Sequence, residues 1–240
     1  MNGEVLLYIA LATGAGILGG VIALFWKPKI EARSAIQHFA AGVVIAAVAS
    51  DVIPEVEKVG TPLGILGGFA AGGAFMITLK YFVLRFEKQE KRRGKQAVGL
   101  TVAAAFDTLV DGAIISAGFS AGQQVGSLLA ISLSIELLFL TLSVGSEFHS
   151  GRRKRLAGLA VTTGVALMLP IGALLGHWAL AGASEATVAA ALAFGAAALI
   201  YLIAEELLVE SIEVEESLFS TATLFAGFLV VLALKLTHEH

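Results

Sequence analysis

The sequence contains no cysteine. That absence excludes disulfides, thiolate metal sites and cysteine nucleophiles. Charge is also scarce: 15% of the 240 residues are Asp, Glu, Lys or Arg, while 57% are hydrophobic. A soluble domain carries about 25% charged residues, so the composition excludes an ordinary soluble fold and points to an integral membrane protein. No basic stretch precedes Val5–Phe25, so no cleavable leader is expected. Ser-His pairings and a His-Glu-x-x-His motif are missing, and the chain reads as a non-enzyme.

What is present is a series of long apolar runs. A helix needs about 20 apolar residues to cross a hydrocarbon core of about 30 Å. Eight runs fit, at 5–25, 34–54, 62–84, 97–119, 125–144, 156–180, 187–208 and 217–236. They use nearly the whole chain, so residues 1–240 read as one transmembrane domain. None alternates with period two, which argues against a barrel, the other structure that satisfies backbone polar groups in lipid. The expected fold class is an all-α membrane protein of eight helices.

Basic residues give the orientation. Lys27, Lys29 and Arg33 follow the first run. Lys80, Arg85, Lys88, Lys91, Arg92, Arg93 and Lys95 lie at and after the end of the third, and Arg152, Arg153, Lys154 and Arg155 follow the fifth. The opposite side has Lys58 and Lys235. The basic loops are therefore expected in the cytoplasm, with both termini outside. These basic runs read as topology determinants, not as a nucleic-acid site. The expected location is a prokaryotic inner (plasma) membrane, with the lipid bilayer as partner. Rims rich in Gly and Ala would permit a homodimer.

Against this background two aspartates stand out in AAAFDTLVDGAIISAGFS, residues 103–120. A charge at mid-bilayer costs about 2.5–3.5 kcal/mol even on the lenient insertion scale. Asp107 and Asp111 are i and i+4, hence on one helix face. Alone they would repel, and one would take up a proton. A divalent cation between them removes both problems. The fifth run supplies Glu136, its only charged residue, at a comparable depth. The candidate metal site is Asp107, Asp111 and Glu136, with Thr108 and Ser132 as secondary oxygens. The competing explanation is a proton-shared cluster that only ties helices together. Asp51 and Glu55, around Pro54, and Glu205 and Glu206, near the end of the seventh run, are candidate path residues, as is His38; interfacial solvation would explain them as well.

A faint internal repeat relates FAAGVVIAAVASDVIPEVE, 39–57, to FGAAALIYLIAEELLVESI, 194–212. Phe39 matches Phe194, Ala49 matches Ala204, Asp51 matches Glu206 and Glu55 matches Glu210. The two runs cross in opposite directions, the mark of inverted-repeat transporters with a midplane site.

The pattern resembles the ZIP family of divalent metal transporters, over nearly the whole chain. FAAGVVIAAVASDVIPE, LPIGALLG (169–176) and ALAFGAAALIYLIAEELLVES (191–211) resemble the family's second, sixth and seventh helices. The family's fourth helix carries His-Asn-x-Pro-Glu-Gly. The matching positions are Asp107, Thr108, Leu109, Val110, Asp111 and Gly112, so an acid and the glycine are kept while the histidine and proline are lost. Ile135–Leu140 is the fifth-helix counterpart, and Leu169 stands where the sixth-helix ligand would be. The resemblance implies a 3+2+3 helix bundle and inward transport of zinc, iron or manganese. The residues present imply one all-oxygen site, which favours harder ions such as Mn²⁺, Mg²⁺ or Ca²⁺. The alternative expectation is a non-transporting relative that acts as a metal sensor or a structural membrane partner.

Overall fold

The computed structural model describes residues 2–92, 96–148, 151–207 and 218–238, with the side chains of 86–92, 96–98, 100, 152, 206, 207 and 238 left aside. Among the described residues every regular element is helical. The helices are α1 (Gly3–Phe25), α2 (Ile30–Ala47), α3 (Ile53–Val59), α4 (Pro62–Arg92), α5 (Gln96–Ala121) and α6 (Gln123–Ser146). Then follow α7 (Arg152–Ala166), α8 (Met168–Ala179), α9 (Glu185–Leu202) and α10 (Leu218–His238). They combine into eight stretches long and apolar enough to span a bilayer, matching the eight expected runs.

Three of these spans are not regular throughout, which the hydrophobic runs alone did not reveal. The sixth breaks at Leu167 between α7 and α8. Pro170 lies just beyond; it has no N–H to return to Ala166, and its ring crowds that carbonyl. The second and seventh each contain one wide π turn, Val48–Val52 between α2 and α3 and Ile203–Leu207 after α9. In the first of these, Ile53 N–H reaches back five residues to Val48 O. Single π turns concentrate at functional positions because they redirect the side chains beside them.

Polar contacts identify the ends of the bundle. Arg155 Nη1 donates to Leu24 O at 3.0 Å, and Arg33 lies 3.6 Å from Glu147. The basic segments around residues 24–33 and 147–155 therefore share one end. Thr61, before Pro62, and Ser184 accept backbone N–H bonds from Gly64 and Thr187, capping α4 and α9 at the other end.

The most extensive helix pairs are α1 with α6, α2 with α10, α5 with α8, and α4 with α9. Small residues permit the close approach, as expected where apolar burial gives helices no mutual attraction in lipid. A methyl group at Gly72 would fall on Phe194 O, and one at Gly227 on Phe39 O. Both partners of the first contact are displaced by 155 residues in the second, with their roles exchanged between the two halves of the chain. Likewise Gly172 packs on Leu109 O, and Gly19 on Leu138 O. α2, α5, α6 and α9 form the buried part of the bundle; in α5 and α6, Ile115, Leu129, Leu133 and Leu137 are fully buried.

Candidate metal centre between α5 and α6

α5 and α6 are unbroken helices joined at Gly122, so they run antiparallel and residues of similar depth meet. Asp107 and Asp111 project from one face of α5, and Glu136 comes from α6. One carboxylate oxygen from each of the three lies within 4.8 Å of the others. Their exposures are 5%, 2% and 3%, so all three are shielded from solvent. Among the described residues this is the one group of three acids or histidines close enough to hold an ion.

The span of the cluster decides what it fits. Ca²⁺ binds oxygen at about 2.3–2.6 Å and Mg²⁺ at about 2.0–2.1 Å. Oxygens on opposite sides of one ion are then about 4–5 Å apart, so a span of 4.8 Å has the size that a single cation would need. All ligand atoms are oxygen, the donor set of hard ions.

Thr108 and Ser132, the expected secondary oxygens, are both buried. Thr108 is fully buried and its hydroxyl donates to Ala104 O at 2.8 Å. The proton is thus directed at the backbone, and the oxygen lone pairs face away from it. Ser132, one turn before Glu136, is buried and its Oγ makes no hydrogen bond. Gly112 lies against Leu169 O, where a methyl group would collide with the α8 backbone. Leu169 itself is fully buried, so α8 offers an apolar side chain here.

The other candidates with described side chains do not join the cluster. His38 Nδ1 is 2.9 Å from Ser34 O on its own helix. Glu55 pairs locally with Lys58 at 2.9 Å, an exposed contact. The side chain of Glu206 lies outside the described residues, as does the acidic loop with Glu210. Asp51 and Glu205 each face a lysine: Lys235 is 3.3 Å from Asp51, and Lys80 is 3.9 Å from Glu205. For Asp51, interfacial solvation is corrected by the structure, since its side chain is only 3% exposed. Sequence reasoning placed Lys80 and Lys235 among the orientation charges and missed these pairs. The two lysines are themselves 155 residues apart, but that spacing names no partner.

No family model matches the chain, and no curated protein is similar to it.

Proposed function

We propose that the chain is a ZIP-like transporter that carries a divalent cation towards the cytoplasm by alternating access. The observation that supports it most is the enclosure of Asp107, Asp111 and Glu136 within 4.8 Å in an apolar bundle. Intramembrane acids of this kind mark ion pathways. Manganese is the ion on which the ligand chemistry and the family resemblance agree.

An inverted repeat is part of the proposal, and the packing supports it. The two π turns lie 155 residues apart, as do the exchanged contacts of Gly72 and Gly227. Gly19 on Leu138 and Gly172 on Leu109 are a second pair of glycine-on-carbonyl contacts, between α1 and α6 and between α8 and α5, with the glycines 153 residues apart. The carbonyl pair Leu109 and Leu138 differs by 29 residues, and so do Asp107 and Glu136. The cation would then sit on the axis relating the halves, which lets one bundle rock about a fixed site. Positive-inside orientation puts the end carrying Arg33 and Arg155 in the cytoplasm.

The test is Mn²⁺ accumulation in vesicles holding the wild type, Asp107→Asn or Asp111→Asn. Uptake by the wild type and not by the variants is expected; equal uptake by all three refutes the site. Saturable Mn²⁺ binding without uptake would identify the sensor reading instead, which the buried Leu169 favours because α8 then adds no ligand.

A further inference from the structure

Lys80 and Lys235 are placed at equivalent points of opposite ends of the bundle. Lys80 is near the cytoplasmic-loop end of α4, and Lys235 is near the far end of α10. Each faces an acid within a π turn, Glu205 and Asp51 respectively. The Lys235 ammonium also donates to Ser50 O. That carbonyl lacks its usual helical donor because residue 54, four positions on, is proline. Ser50 hydroxyl in turn donates to Asp51 Oδ2 at 2.9 Å. The tether at this end is thus built from three groups.

The two ends are not in the same state. The Lys235 and Asp51 side chains are 20% and 3% exposed, whereas Lys80 and Glu205 are 28% and 50% exposed. A cavity of about 20 Å³ lies beside Lys80, lined by Met76, Ala103, Asp107 and Tyr201 among others. It has room for one water and lies between Lys80 and Asp107, the most exposed of the three acids. The equivalent positions are packed at both ends: Val231 and Ala46 belong to one buried cluster, and Met76, with Tyr201 packed against it, belongs to another, so the difference lies in the exposure of the ion pairs.

We propose that Lys80 and Lys235 are tethered cations that close the two ends of the ion path, each occupying the acid that the passing ion must visit. This rests on the transport reading above. An ion arriving at Glu205 or Asp51 displaces the ammonium, and the ammonium returns once the ion has passed. The two gates are reciprocal: here the Lys235 gate is shut, and the Lys80 gate is loosened towards Asp107. An acid without its lysine would hold the ion at the end of the path, and a lysine without its acid would repel it.

The chain has no cysteine, so a single thiol reports cleanly. Ala103→Cys places one in the cavity beside Lys80 and Asp107. The probe is a neutral, hydrophilic maleimide on detergent-solubilised protein without divalent ions, and rates are compared per thiolate from a pH–rate profile of each variant, because losing the Lys80 charge also lowers the thiolate fraction. Lys80→Met is expected to raise the labelling rate about two- to five-fold, the scale of a partly exposed ion pair. Lys235→Met with Asp51→Asn opens the other end and is expected to lower it by a similar factor. The swap of Lys80→Glu with Glu205→Lys restores the pair and should return the rate to that of Ala103→Cys alone. Unchanged rates in the first two variants overturn the gates. Mn²⁺ uptake is measured separately: uptake with unchanged labelling overturns the gates alone, and changed labelling with no uptake overturns the transport reading and with it the gating of an ion.

Discussion

The two lysine–acid pairs share chemistry and differ in burial, which gives a sharp stability prediction. Lys235→Met leaves Asp51, 3% exposed, without its cation. Removing one partner of a buried pair costs about 3–5 kcal/mol, because an uncompensated charge is left out of contact with water. Ser50 O is stranded as well, since Pro54 cannot serve it. Lys80→Met removes a partner from an acid that is half exposed. Water then replaces the ammonium, and such pairs are worth about 0.2–1 kcal/mol. For a chain of about this size, each kcal/mol moves the midpoint by about 2–4 °C. The expected losses are about 6–20 °C for Lys235→Met and at most about 4 °C for Lys80→Met. Thermal unfolding in one detergent, followed by circular dichroism at a fixed scan rate, measures both; the fixed rate matters where unfolding is irreversible. Lys235→Met with Asp51→Leu removes both charges and should recover most of the loss, because a packed apolar pair is no worse than a buried ionic one. Equal shifts in the two single variants, or a double variant as unstable as Lys235→Met, would refute the reasoning.

Other outcomes follow from the same geometry. Glu136→Gln should weaken Mn²⁺ binding at least about tenfold by calorimetry, the equivalent of about 1.4 kcal/mol, while His38→Ala should leave it unchanged because His38 bonds within its own helix. Mn²⁺ affinity should fall as the medium is acidified from neutrality, since protons compete for all three carboxylates; an affinity that rises in acid contradicts an all-carboxylate site. Gly112→Ala and Gly172→Ala should each cost about 1–3 kcal/mol in thermal unfolding, because the new methyl meets the backbone of Leu169 or Leu109. Gly14→Ala, with nothing within 4 Å of the added carbon, should be neutral or mildly stabilising, as alanine is the better helix former.

The eight spans were legible in the chain because lipid imposes a strict local rule: each crossing must be long, apolar and internally hydrogen-bonded. Asp107 and Asp111 were legible as a pair because their spacing alone puts them on one face. Glu136 joined them on depth, which short antiparallel connection preserves. The π turns were not legible, since widening a helix by one residue leaves the hydrophobic run unchanged. Nor was the partner of Asp51: Lys235 lies 184 positions away on another helix, and its sequence context reads equally well as a membrane-end charge. Composition and spacing thus determined what must be buried and roughly how deep. Only the packing of one helix on another decided which buried charge meets which, because that depends on the rotation and tilt of rigid helices, and no local pattern encodes either.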